Sequence, residues 1–476
     1  MTPNLSWRLG LYAIFGFWAF VALKSFPPPF IDDAWYAGAA INLAQHGVFS
    51  NPLCESLATI GSAKLFLAYM PLHSYILAGW LRLFGVSTLS FHVFFTLLAF
   101  LDTLLIYWFF PKARSSWAIA LLIILAVYEL LAGVGMRPDS LGLFFLLIGM
   151  NVWRARTVAG YFVGNIFLGL AVITFPTVAP MALMFALAAL AYQRLFYGRT
   201  LRELIPLLLA SGTAYALCFL LFLVCIHGQL GAFLDCLSRN QQMGVAGMGK
   251  LFTAVGISKW IVVQAAFLFL IVAMAYQART YYHRQERWFF LLLALLAFIS
   301  LGFASCISAT GVHVWAFACL IAGLFILVQE DWRWRAWLVY LGIFAVAVFG
   351  HGHGAIEQLL ARPPLTWGER AALRAEIKSL HPARLYVDAY AMRELYNYRL
   401  PPNTYCFETS STTGWGQPTK ADMMPKNAVA VVSVGSAFPT GRSPEAGARG
   451  IPLKIFGYVL PGAIQNPYDL EIIDNR

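Results

Sequence analysis

Apolar stretches separated by short polar turns recur along the first three quarters of the chain. A membrane helix needs about 20 mostly apolar residues, and windows approaching that length predict about eleven spans. The windows lie near residues 8–25, 90–110, 116–132, 139–153, 160–175, 177–193, 204–226, 259–277, 288–306, 312–329 and 335–350. The predicted fold class is therefore a polytopic α-helical membrane protein.

The segment between the first two predicted spans, residues 26–89, is too long to be a simple connector. It opens with three prolines, which end the first helix because proline lacks the amide donor and fixes φ. Two apolar stretches follow, within residues 33–47 and 69–84. We predict that both form interfacial helices, with Trp35, Ala39, Ile41, Leu43 and Ala44 on one side of the first.

The composition changes from about residue 351, where charges, prolines and glycines become frequent and no apolar run could span a membrane. Helices are predicted over residues 367–380 and 391–398, and strands over 384–390, 427–435 and 451–460. This pattern predicts a small α/β domain over residues 351–476. The transmembrane domain, residues 1–350, would carry two long outer loops, 26–89 and 227–258.

Composition and charge support a membrane protein and exclude a nucleic-acid partner. The 476 residues are 60% hydrophobic and 12% charged, about half the charged fraction of a soluble domain. The net charge of +11 comes from Lys and Arg concentrated in alternate turns, such as those near residues 112–114, 154–156, 194–202, 279–287 and 333–335. By the positive-inside rule these turns and the N-terminus are cytoplasmic. The two long loops and the C-terminal domain are then periplasmic, on the outer side of a bacterial inner membrane.

Two adjacent carboxylates, Asp32 and Asp33, follow the prolines where hydrocarbon gives way to headgroups. Ionisable groups at such a depth are costly to desolvate, which favours a functional role. Alternatively, they cap the surface helix and complement its dipole. Asp102, within the second predicted span, is another intramembrane carboxylate, and the sequence assigns it no role.

Arg137 lies in an outer turn, directly before Pro138 and Asp139. A guanidinium there would offer a fixed cation to a lipid phosphate. Alternatively, it pairs with Asp139 or Glu129 and only neutralises charge at the interface. Arg239 and Lys250, in the glycine-rich loop 227–258, are further candidates for a donor phosphate, or else solvated loop charges.

Several of these motifs resemble the GT-C superfamily of glycosyltransferases, which use polyprenyl- or dolichyl-phosphate sugars. Asp32-Asp33-Ala34-Trp35-Tyr36, directly after a first membrane helix, is similar to the Asp-Glu-x-x-Tyr signature of the first periplasmic loop in that superfamily. Residues 69–75 (Tyr-Met-Pro-Leu-His-Ser-Tyr), the later Phe84-Gly85, and Arg137-Pro138-Asp139 opening a helix also resemble its elements. The superfamily includes protein O-mannosyltransferases and the aminoarabinose transferase of lipid A.

The resemblance implies an inverting transfer of a sugar from a polyprenyl-phosphate donor to a hydroxyl of a lipid, a glycan or a protein. Asp32 would act on the acceptor, with Asp33 in the place of the usual Glu. Aminoarabinose transferases have a phosphate-binding lysine where this chain has Tyr69, although Lys64 is nearby. The other candidate substrate contacts are Tyr36, His73 and Asp139, with Arg137 at the phosphate. The sequence identifies no certain cofactor; Asp32 and Asp33 could share a divalent cation, but two carboxylates do not identify a metal.

Two alternative functions stay open. A glycan ligase or polymerase of another GT-C-like branch would depend on the loop 227–258, because those enzymes usually carry a large loop between later helices. A lipid or solute transporter would also have about eleven spans, but the sequence has no inverted repeat and no matching pair of broken helices.

Overall fold

The computed structural model describes much of the first 238 residues and parts of the C-terminal region. The described residues are 3–23, 33–51, 65–109, 117–132, 136–153, 157–179, 182, 183, 186, 190, 193, 194, 198–238, 372, 375–380, 385–388, 404–407, 429–433, 454–455, 458–459 and 470–474. The four predicted spans between residues 259 and 350, and the predicted helix 391–398, lie outside them. The prediction of about eleven spans and their orientation therefore stays a prediction.

Eight helices of the described part follow the predicted pattern closely. They are α1 (Pro3–Leu23), α2 (Asp33–His46), α3 (Leu72–Phe84), α4 (Thr88–Phe109), α5 (Trp117–Ala132), α6 (Asp139–Trp153), α7 (Val158–Thr174) and α8 (Leu201–Cys225). Two are long and apolar enough to cross a membrane, over Thr88–Trp108 and Leu201–Cys225. Three shorter apolar helices cover Arg8–Leu23, Asp139–Val152 and Val158–Thr174.

The apolar helices pack through small residues and a few polar contacts, as is typical of helices in membranes. Helix α6 approaches α7 so closely that a Cβ atom on Gly149 would lie 2.9 Å from the carbonyl oxygen of Gly164. Trp18 Nε1 of α1 donates to Thr103 Oγ1 of α4 at 2.9 Å. These contacts hold the helices in register where one apolar surface alone would allow them to slide.

Helices α2 and α3 pack against each other, and α3 holds the C-terminal end of α2. Arg82 of α3 donates from Nη2 to the carbonyl oxygen of Leu43 at 2.8 Å, and from Nε to that of Ala44 at 3.3 Å. Gly47 ends the helix with φ +74°, and its N–H bonds to Leu43 O at 3.1 Å. A left-handed glycine and a cation are the two groups that best satisfy the last carbonyls of a helix.

Helix α2 is more enclosed than the predicted surface helix. Ala39 and Leu43 of the predicted apolar stripe are buried, with Ile41 and Ala44 half-buried. However, all five residues from Tyr36 to Ala40 are buried, so the helix is covered on more than one side. At Gly38, an added Cβ would lie 2.9 Å from Cγ of the buried Asn51, so glycine makes room for that side chain.

The C-terminal region contains a four-stranded sheet in the order β2-β1-β3-β6. Its strands are β1 (Leu385–Asp388), β2 (Thr404–Phe407), β3 (Val429–Ser433) and β6 (Leu470–Asp474). Strand β1 is parallel to β2 and β3, whereas β6 is antiparallel to β3. The predicted strand 451–460 is a short antiparallel pair, β4 (Lys454–Ile455) and β5 (Tyr458–Val459). Strands β2 and β6 were not predicted, and the limits of the domain stay a prediction.

Candidate functional site

Five of the predicted site residues, from three separate segments, meet in one place. The rings of Tyr36 in α2 and Tyr69 before α3 have centroids 4.4 Å apart. The His73 ring of α3 lies 6.3 Å from that of Tyr36, edge to face. The guanidinium carbon of Arg137 lies 5.9 Å from the centroid of the same Tyr36 ring. We call Tyr36, Tyr69, His73, Arg137 and Asp139 the Tyr36 cluster.

Prolines position two of the three contributing segments. Pro71 directly precedes α3, and its carbonyl accepts the N–H of Tyr75 at 3.2 Å, which places His73 in the first turn. Pro138 directly precedes α6, and its carbonyl accepts the N–H of Gly142 at 2.8 Å. Proline is favoured at helix starts because its N–H is not needed there. His73 and Asp139 thus each lie at the beginning of an apolar helix.

Arg137 and Asp139 form a buried ion pair. Arg137 Nε donates to Asp139 Oδ2 at 3.1 Å, and the two side chains are only 6% and 7% exposed. One of the two alternatives from the sequence, pairing with Asp139, is therefore observed. The Glu129 side chain lies outside the part of the chain that the structure describes. A bond through Nε fixes the direction of the guanidinium plane above Tyr36, as expected for a charge-assisted contact.

His73 is 1% exposed, and neither ring nitrogen has a hydrogen-bond partner among the described residues. Burial lowers the pKa of His73 to about 3, because the apolar surroundings disfavour the charged ring. An interaction with the main chain of Met136 opposes part of this shift. The ring also lies 6.0 Å from Phe95 of α4. At neutral pH the cluster therefore contains an uncharged imidazole.

A second contact joins α3 to the end of α8. Tyr75 donates its hydroxyl to the carbonyl oxygen of Cys225 at 3.1 Å, and the same hydroxyl lies 3.5 Å from His227 Nε2. Burial raises the pKa of Tyr75. His227 has φ +53°, a left-handed conformation that is uncommon for residues other than glycine. The loop 227–258 thus leaves the helix next to α3, two residues along that helix from His73.

The remaining predicted site residues are not described at the level of side chains. Asp32, Lys64, Arg239 and Lys250 lie outside the described residues. Asp33 is the first residue of α2. Because residues three apart share a face of a helix, its backbone position is one turn before Tyr36 on the same face. Within the described ranges, no group of three or more His, Cys, Asp or Glu residues could hold a metal ion. Whether Asp32 and Asp33 share a cation stays a prediction.

Sequence reasoning missed the residues that support the cluster. Asn51, Arg82 and Tyr75 hold α2, α3 and the end of α8 together. Arg82 gave only a weak signal, because a basic residue three positions before a glycine at a helix end is expected to bind the carbonyls of its own helix, whereas Arg82 binds those of α2. Asn51 gave none, since its partner Gly38 is thirteen residues away and both lie outside any motif.

Chemically, the Tyr36 cluster combines aromatic faces, a neutral imidazole and a buried, oriented cation. Aromatic rings pack against the apolar faces of sugar rings, and a guanidinium binds phosphate oxygens in a fixed geometry. Neither a protein-family model nor a curated protein matches this sequence. The functional interpretation therefore depends on the residues themselves.

Proposed function

We propose that the protein is an inverting glycosyltransferase that moves a sugar from a polyprenyl-phosphate donor to an acceptor hydroxyl at the outer face of a membrane. The observation that carries the proposal is the convergence of Tyr36, Tyr69, His73 and Arg137 from three segments. These are residues that the GT-C-like motifs of the sequence had singled out. A chance match of short motifs would not be expected to bring them into contact.

In the proposed reaction, Arg137 binds the donor phosphate and Tyr36 and Tyr69 support the sugar. The acceptor oxygen forms a bond to the anomeric carbon from the side opposite the phosphate. The bond between that carbon and the phosphate oxygen breaks, and its electron pair leaves with the polyprenyl phosphate. Asp32, directly before α2, takes the acceptor proton as general base. The cation beside the phosphate stabilises the negative charge that grows on the leaving group.

This arrangement explains why the acids and the cation lie at the starts of helices rather than within them. The polyprenyl tail needs apolar surface, whereas its phosphate and sugar need polar groups at the same depth as the headgroups. A phosphodiester leaving group is already acidic, so a second carboxylate acting as a general acid is not required. Asp33 would then orient the acceptor or the base.

The proposal is tested by restoring a strain that lacks this chain and analysing its envelope glycans by mass spectrometry. Wild-type protein is expected to restore a glycan that Asp32→Asn does not, because the loss of a general base costs about 10²–10⁴-fold in rate. The matched control is Asp235→Asn, which changes an exposed acid in residues 230–238 and is expected to restore the glycan fully.

Full restoration by Asp32→Asn, at equal amounts of folded protein, would reject Asp32 as the base. The transporter alternative predicts a different pattern. Uptake of a labelled lipid-linked sugar into proteoliposomes would then persist, and Asp32→Asn would leave that uptake unchanged.

A further inference from the structure

Two described groups contact the Arg137 guanidinium in different ways. The guanidinium carbon lies 5.9 Å from the centroid of the Tyr36 ring, and Nε donates to Asp139 Oδ2 at 3.1 Å. The ring is neutral and attracts a cation without accepting its N–H groups in the way an anion does. The carboxylate forms the same charge-assisted bond that a phosphate oxygen would form. Of these two contacts, a phosphate would therefore have to replace only the one with Asp139.

The cluster has too little positive charge for a phosphate and the Asp139 carboxylate together. Arg137 is the one cation among the five members of the Tyr36 cluster, because burial lowers the pKa of His73 to about 3 and the ring is neutral. The proposed reaction also brings the carboxylates of Asp32 and Asp33 to this side. The ion pair is buried, and a buried charge without a counter-ion is strongly unfavourable. The observed pair is therefore incompatible with a phosphate on Arg137 unless Asp139 moves.

The start of α6 offers the Asp139 carboxylate a second position. Asp139 is the first residue of this helix, and the N–H of Gly142 bonds to the carbonyl oxygen of Pro138 at 2.8 Å. The N–H groups of residues 139–141 come before this bond and have no acceptor within the helix. A carboxylate is favourable beside them, at the positive end of the helix dipole. A rotation of the Asp139 side chain towards them breaks no backbone bond of α6.

Unused hydrogen-bonding capacity at the same turn agrees with such a rotation. Apart from the main chain of its own residue, Asp139 Oδ1 has no hydrogen-bond partner among the described residues. The same holds for Ser140 Oγ in the described part of the chain, although Ser140 is only 3% exposed. Buried polar groups nearly always have partners, so these exceptions need an explanation. A second arrangement of this turn supplies one.

We propose that Asp139 occupies the phosphate position on Arg137, and that the donor phosphate displaces its carboxylate towards the start of α6. This inference rests on the proposed function. The donor then competes with an anion of the protein itself, and its apparent affinity falls in proportion to the fraction of protein in which Arg137 is available. The same competition helps the product to leave. Polyprenyl phosphate is a monoester with more negative charge than the diester donor, and Asp139 replaces it on Arg137 after the transfer.

The test measures the binding of farnesyl phosphate and of farnesol to the full-length protein in detergent micelles by calorimetry. The two probes share an isoprenyl tail, so the ratio of their dissociation constants reports the phosphate. We expect wild type to prefer farnesyl phosphate. Asp139→Asn should bind farnesyl phosphate at least about tenfold more tightly than wild type, because the phosphate no longer has to replace a charge-assisted bond. Its affinity for farnesol should not change.

Further variants assign the gain in affinity to the charge of Asp139 acting through Arg137. Arg137→Gln should bind the two probes equally, and so should the double variant Arg137→Gln/Asp139→Asn. Asp139→Glu keeps the negative charge and should bind farnesyl phosphate no more tightly than wild type. Asp235→Asn, at an exposed position, is the control and should leave both affinities unchanged.

The outcomes separate this inference from the proposed function. Weaker or unchanged binding of farnesyl phosphate by Asp139→Asn would show that Asp139 only orients Arg137. That result would overturn the inference, while loss of the phosphate preference in Arg137→Gln would still support the proposed function. Equal binding of the two probes by wild type and by Asp139→Asn would reject the phosphate site and the inference with it.

A rescue experiment covers the case in which Asp139→Asn does not fold alone. Farnesyl phosphate, but not farnesol, should then allow the folded variant to be purified, because the phosphate replaces the missing anion beside Arg137. Failure of farnesyl phosphate to rescue the variant would overturn the inference.

Discussion

Two buried acids in this protein, Asp139 and Asp102, have opposite surroundings. Asp139 begins α6 and accepts a bond from Arg137 in the Tyr36 cluster. Asp102 lies well inside α4, is 0% exposed, and has no hydrogen-bond partner for either oxygen among the described residues. The difference teaches that burial alone does not identify a functional acid. The Asp139 region is organised to hold charge, whereas the described residues around Asp102 offer it no hydrogen-bond partner.

The largest effect should come from Asp139→Asn. This change removes the carboxylate that accepts from Arg137 Nε at 3.1 Å, and the buried arginine cannot release its proton. We expect the free energy of unfolding to fall by about 3–5 kcal/mol, measured in mixed detergent micelles.

The converse change should cost less, because an Asp139 left alone can take up a proton. Arg137→Gln is therefore expected to be milder than Asp139→Asn, and the double variant should recover much of the loss. A strictly additive double-mutant cycle would show that the two side chains are not coupled.

The second effect concerns acid and the neutral His73. The pKa of His73 is about 3 in the folded protein and 6.5 in an ordinary peptide, so between these values the unfolded chain binds the extra proton. The contribution of the neutral His73 ring to the free energy of unfolding is complete above pH 6.5 and declines as the pH falls towards 3. At pH 5 the loss should be about 2 kcal/mol relative to pH 7.5.

The measurement compares unfolding of wild type and His73→Gln across this range. The glutamine variant should lack this part of the acid response, whereas His46→Gln, at an exposed position, should retain it. Identical pH profiles for wild type and His73→Gln would contradict a buried, neutral imidazole.

The smallest effect is expected for Asp102→Asn. Asparagine has the same size as an uncharged aspartic acid, and no described cation would be left unpaired. We expect a change below about 1 kcal/mol in the same unfolding experiment. A loss as large as that of Asp139→Asn would mean that a cation from outside the described residues pairs with Asp102, and the contrast between the two acids would disappear.

The sequence predicted the helices well because their signal is local. The start of α6 at Asp139 follows from Pro138, and the end of α2 near Gly47 follows from a glycine after an apolar run. The candidate residues of the Tyr36 cluster were also found, since they lie in short motifs. The sequence could not indicate that the rings of Tyr36 and Tyr69 meet or that Arg137 lies over the Tyr36 ring, because those contacts depend on how the segments pack. The enclosure of α2 includes the close approach of Asn51 to Gly38, and neither residue belongs to a sequence pattern that would predict this contact.

The backbone bond between Phe66 and Phe49 has a consequence for how this protein could diversify. Phe66 N–H bonds to the carbonyl oxygen of Phe49 at 2.9 Å, and their rings lie 6.0 Å apart, so the chain departs and returns at neighbouring points. The described residues on either side of positions 52–64 are therefore held next to each other. Lengthening a connection whose ends are fixed adds little entropic cost, about 0.6 kcal/mol for each doubling of a flexible loop. A change in the number of residues between these two ends is therefore expected to leave α2 and α3 in place.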